Sequence, residues 1–186
     1  MPSLPPRCAA ALLLVGLLTL LAGCGPAKDE FAPVCPRAAL LREAGDITRY
    51  RDESASATQD IRDLVLTGRI TAVSGKCRAG DSAKQLAADV TVTMQVSRGP
   101  AMQGRETDVP FFVAITSGEQ IFTKQVYAAH VVFPPNVDQV SLVSEPIPMV
   151  FPISPTKSGA AYTVLAGFQL TEQELAFNRR QGGGHP

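Results

Sequence analysis

The stretch "AADVTVTMQVSRGP" alternates strictly between two kinds of side chain, and that alternation limits what the chain can become. Ala88, Val90, Val92, Met94 and Val96 fall on one face, and Asp89, Thr91, Thr93, Gln95 and Ser97 on the other. A period of two suits a pleated strand with one buried and one wet face; a helix would scatter the same residues around its circumference. Gly99-Pro100 ends the run.

The same period recurs along the chain. Leu64, Leu66, Ile70 and Ala72 alternate with Asp63, Thr67, Arg69 and Thr71, and "VSGK" reads as the turn that closes this strand. "VPFFVAIT" is nearly all apolar and suits a central strand. "SGEQ" turns the chain into "IFTKQVYAAHVVF", whose alternation slips midway as a β-bulge would make it slip. "QVSLVS" follows the break at Pro134-Pro135. "YTVLAGFQL" supplies the last strand, with Tyr162, Val164, Ala166, Phe168 and Leu170 on one face.

The segment 145–153 carries Pro146, Pro148 and Pro152, all at even positions. In an extended chain their absent N–H groups lie on one side, which a central strand cannot accept and an edge strand can. Ile147, Met149 and Phe151 are therefore expected to point inward from a sheet margin.

Two helices are expected at the ends of the domain. "CPRAALLREAG" places Pro36 at a first helical position and Gly45 where a C-terminal cap belongs. Thr171 and Glu174 form a T-x-x-E capping box opening "EQELAFNRR", with Leu175 and Phe177 packing inward. The polar run 49–60 reads as a loop. Seven or so strands with Pro/Gly turns point to a mainly β fold, an antiparallel β-sandwich of immunoglobulin-like arrangement with short terminal helices. The order of its strands is left open.

The N-terminus has a different character. After the single charge of Arg7, residues 8–22 carry no charge, a length that suits a signal peptide and falls short of the roughly 20 residues of a membrane-spanning helix. The run ends in "LAGC", which resembles the lipobox of bacterial lipoprotein precursors. The resemblance implies that residues 1–23 are a signal peptide and that Cys24 becomes a lipidated, acylated N-terminus. Two or three acyl chains, at about 0.8 kcal/mol per buried CH₂, anchor a protein firmly where one does not. Gly25 in place of Asp favours an outer-membrane anchor facing the periplasm in a Gram-negative host. "GPAKDEFAPV" completes a tether (24–34), residues 35–180 form the sandwich, and 181–186 are expected to be a disordered tail. "CP", "GKC", "RGP", "VPFFVA" and "GFQLTEQELAFNR" together resemble small proteobacterial envelope lipoproteins without assigned activity, so no catalytic residues carry over.

Subtraction then pairs the cysteines. Cys8 leaves with the signal and Cys24 is taken by lipid, leaving Cys35 and Cys77 in an oxidising compartment. One disulfide is expected, closing a loop of about 42 residues and stabilising the fold by roughly 4 kcal/mol. A redox pair is the alternative, but no C-x-x-C spacing supports it.

Chemistry-bearing patterns are sparse. The whole chain balances 17 basic against 17 acidic residues without a basic run, which argues against a nucleic-acid partner. His130 lies in a strand and reads as a solvent-facing or simply hydrogen-bonded histidine. No zinc-protease, nucleophile-elbow or phosphate-loop motif occurs. Arginines in "SRGPAMQG" and "NRRQGGG" lie beside flexible glycines where an anion could be contacted, but ordinary turn solvation is the better explanation. No catalytic, metal or cofactor residues are nominated, and no cofactor is expected. The expectation is a non-enzymatic envelope module that binds another envelope protein. A lipid or small-ligand carrier and a hydrolase with a dispersed site are the alternatives. A flat apolar patch would favour the first, a large apolar pocket the second, and converging acidic or Ser/His groups the third.

Overall fold

In the computed structural model, residues 34–51 and 60–182 are described; the expected signal peptide, Cys24 and most of the expected tether lie outside them, as do residues 183–186. The alternating stretch is strand β4 (Gln85–Arg98), at the centre of one sheet. Its even residues from Leu86 to Val96 are buried in the main core, and Val92, Met94 and Val96 are wholly shielded. Thr91, Thr93 and Gln95 face outward as expected.

Around β4 lie β2 (Asp46–Tyr50), β3 (Leu64–Ala79), β7 (Gln139–Val143) and β8 (Ile147–Pro152). The order is β2-β3-β4, with β7 and β8 sharing the far side of β4. The second sheet runs β1-β9-β5-β6, from β1 (Arg37–Leu40), β9 (Thr163–Phe168), β5 (Glu106–Ser117) and β6 (Gln120–Val132). Every pairing is antiparallel except β1 with β9. The two inner faces share one core, joining Leu66, Ile70 and Val92 to Val109, Phe111, Val113, Val164 and Phe168. The described residues form the expected mainly β sandwich with one short C-terminal helix. It is immunoglobulin-like in its two-layer build and has a strand order of its own. β2, β3 and β4 form a meander within one sheet, whereas an immunoglobulin domain divides its second and third strands between sheets.

"VPFFVAIT" lies in β5 between β9 and β6, as its apolar character requires. Val109, Phe111, Val113 and Ile115 enter the main core, while Phe112 and Ala114 are buried on the opposite face beneath Ala44. The proline-rich segment is an edge strand. Among the described residues β8 pairs with β4 alone, and Ile147, Met149 and Phe151 are buried while Pro148, Val150 and Pro152 are exposed. The Ile153 N–H donates to the Lys84 carbonyl at 2.8 Å. By alternation the odd residues of β8 bond to β4, so Pro148 and Pro152 occupy positions whose N–H would face solvent. One extra residue at Glu145–Pro146 shifts the register between β7 and β8. Ser144 spans that break: its N–H donates to the Val92 carbonyl at 2.9 Å, and its hydroxyl accepts the Val92 N–H at 3.0 Å.

Four local expectations are corrected. "CPRAALLREAG" is not a helix but β1 followed by a 3-10 turn, Arg42–Ala44. Hydrogen bonds from Arg37 to Tyr162 and from Leu41 to Ala166 stitch it to β9, and this tertiary pairing outweighs a short helix that is marginal alone. The loop expected over 49–60 is corrected at its start, because Arg49 and Tyr50 belong to β2; residues 52–59 of that segment lie outside the described residues. "VSGK" does not turn: β3 runs through Val73–Lys76, with Gly75 paired to Val90, and the hairpin closes after Ala79. The β6 irregularity sits at Ile121–Thr123, near the start of the strand rather than midway.

Candidate functional site

The Cys35–Cys77 disulfide is present, with Cα atoms 5.9 Å apart. It ties the chain just before β1 to the far part of β3, so the two sheets are cross-linked. A small, mostly apolar hollow of about 110 Å³ adjoins it, lined by residues that include Pro36, Ala38 and Val164. Cys24, the expected lipidation residue, lies outside the described residues.

The opposite corner is held by the C-terminal helix α1 (Glu172–Arg180). Its capping box is formed: the Glu174 N–H donates to Thr171 Oγ1 at 3.2 Å, and the Thr171 N–H to Glu174 Oε2 at 2.9 Å. The buried contacts of the helix are polar. Glu174 is 5% and Asn178 6% exposed, whereas Leu175 and Phe177 are only half-buried. Arg49 Nε donates to Glu174 Oε1 at 2.9 Å, and Asn178 Nδ2 donates to the carbonyls of Glu43 at 2.9 Å and Asp46 at 2.8 Å. Phe177 meets Tyr50 edge-on at 6.3 Å. Leu175 and Phe177 therefore contribute less, and Glu174 and Asn178 more, than an amphipathic reading anticipates.

An open cleft of about 420 Å³ lies beside this helix on the outer face of the β2-β3-β4 sheet. Thr48, Thr67, Gln95, Ser97 and Gln139 make it polar, and its arginine, Arg69, is already paired with Asp46 at 2.6 Å. The other arginines singled out from the sequence also bind their own chain. Arg98 donates to the carbonyls of Met102 and Gly104, both at 3.1 Å, and Arg179 to Glu43 at 2.9 Å. Arg180 lies over the Phe177 ring. Their places argue for loop and helix clasps rather than an anion site.

His130 faces solvent on β6, opposite Asp108 of β5, with Nδ1 2.9 Å from Asp108 Oδ1 and Nε2 3.9 Å from Glu106 Oε2. It is a hydrogen-bonded surface histidine, as read from the sequence. Its carboxylate partner is 22 residues away, and only the cross-strand register reveals it. Among the described residues, no group of three or more His, Cys, Asp or Glu side chains is placed to hold a metal ion.

The remaining feature is β6 itself. Among the described residues it ends its sheet; it spans 13 residues and contains no proline. Ile121, Phe122, Val126 and Val132 are exposed along it. The Phe133 N–H donates to the Arg105 carbonyl at 2.7 Å, so by alternation the odd residues from Thr123 bond to β5. Lys124, Val126, Ala128, His130 and Val132 thus aim their N–H and C=O groups at the open side. Sequence reasoning missed this edge, because period two marks a strand without saying where it lies in a sheet.

Comparison of the chain with protein-family models, with curated proteins and with solved structures returns no match in any of the three.

Proposed function

We propose that this chain is a lipid-anchored, periplasm-facing envelope protein acting as a non-enzymatic docking module, with strand β6 as its contact element. The single observation that carries the docking reading is the contrast between β6 and the other sheet margins. β1 has four residues, β2 and β7 five each, and β8 is blocked by Pro148 and Pro152, while β6, among the described residues, presents a 13-residue proline-free edge with one lysine and exposed valines. Proteins ordinarily shorten, charge or cover such edges, and an edge left open is where another strand can be added. A carrier role gains less support: the apolar hollow at the disulfide, about 110 Å³, is small beside the 300–1,000 Å³ typical of ligand pockets.

The anchoring half rests on the "LAGC" resemblance around Cys24. Metabolic labelling with a fatty-acid analogue in a Gram-negative host tests it: wild type should take up label, and Cys24→Ala should remain unlabelled and unprocessed. The docking half is tested by a photo-crosslinking residue at Val126 or, for comparison, at Val150. The two are 54% and 55% exposed and lie on different edge strands. A protein adduct from 126 and none from 150 is expected; equal capture, or none at either position, would count against β6 as the contact.

A further inference from the structure

We infer that the strand docking on β6 is β6 of a second copy of this chain, antiparallel about a two-fold axis, so that two four-stranded sheets become one of eight. This rests on the docking reading above and names its partner.

The geometry of the edge restricts the register. From Thr123 to Val132 the strand is regular, and its outward N–H and C=O groups belong to even residues. An antiparallel neighbour bonds through residues of the same kind, so even positions of one copy must oppose even positions of the other. A two-fold axis at Tyr127 satisfies this, setting Val126 against Ala128 of the second copy and Lys124 against its His130. Both exposed valines then lose water: Val126 at the centre and Val132 beside the bulge at Ile121–Phe122.

Charge selects a second copy over an arbitrary strand. Lys124 is the only lysine or arginine on β6, and it lies toward the start of the strand, its ammonium 4.4 Å from the centre of the Phe112 ring. The other end is acidic: Asp108 is bonded to His130, and Glu106 lies across from Val132. Reversing the strand direction brings the basic end of each copy against the acidic end of the other, twice. A two-fold contact of this kind uses one patch that complements itself.

The test uses the full chain extracted in detergent, with its mass followed by sedimentation up to about 100 µM. A dimer is expected. Ala128→Pro removes an outward N–H and spares the β5 ladder, and Val126→Lys places charge on the edge; each should weaken association by roughly tenfold or more. Lys124→Glu should weaken it too, and adding Asp108→Lys in the same chain should restore it. A wild type that stays monomeric, or a dimer indifferent to both Ala128→Pro and Val126→Lys, overturns the proposal. The Val126 photo-crosslink separates the two levels. An adduct of twice the chain mass supports self-pairing. An adduct with a different protein overturns self-pairing and leaves the docking reading standing, and no adduct overturns both.

Discussion

A pair of proline substitutions on neighbouring residues of β8 tests the packing logic sharply. Met149 is buried and pairs with Ala88; Val150 is more than half exposed and pairs with Ala87. By the alternation anchored at Ile153 and Lys84, the Met149 N–H bonds to β4 and the Val150 N–H faces away. Met149→Pro therefore loses one ladder hydrogen bond, worth about 1 kcal/mol net, and strands a buried carbonyl on Ala88 at a further 1–3 kcal/mol or so. It also removes much of a core side chain, for which full truncation costs roughly 2–5 kcal/mol. A total near 5 kcal/mol approaches the whole stability of many domains, about 5–15 kcal/mol. Val150→Pro loses none of these and should cost about 1 kcal/mol or less, as the native Pro148 and Pro152 at equivalent positions indicate. At about 2–4 °C per kcal/mol for a domain of this size, thermal melting should separate the variants by roughly 10 °C or more. Equal melting temperatures, or a lower one for Val150→Pro, would refute the assigned edge and its register.

Two further predictions concern the corners of the fold. Replacing Cys35 and Cys77 by serine together should lower stability by roughly 4 kcal/mol, read from urea denaturation, because the bridge closes a loop of 42 residues; an unchanged midpoint would contradict this. Asn178→Ala removes two hydrogen bonds to backbone carbonyls and should cost about 1–3 kcal/mol, whereas Asn178→Asp points a carboxylate at the same carbonyls and should cost more. An aspartate variant as stable as the native protein would show that the helix is not held through Asn178.

How much was legible in the sequence depended on whether the determinant was local. Val90, Val92 and Met94 announce a strand by spacing alone, Pro148 and Pro152 announce an edge by their missing donors, and Thr171 with Glu174 announces a helix start. "RAALLREA" misled because its residues favour a helix when considered alone, and only pairing with β9 makes part of it a strand. The same holds for Gly75, which suggests a turn yet sits within a paired β3. The His130–Asp108 contact and the open edge of β6 depend on register and sheet order, neither of which a period-two pattern encodes.

Amide hydrogen exchange along β6, at low and high protein concentration, shows whether the strand is a free edge awaiting a partner. In dilute protein, the amides of Gln125, Tyr127, Ala129 and Val131 should be protected through β5, and those of Val126, Ala128 and His130 should exchange freely. On association the second set should become protected while the first is unchanged. Protection of Val126 and Ala128 already at high dilution, or free exchange of both in the associated form, would show that β6 is not an edge that accepts a strand.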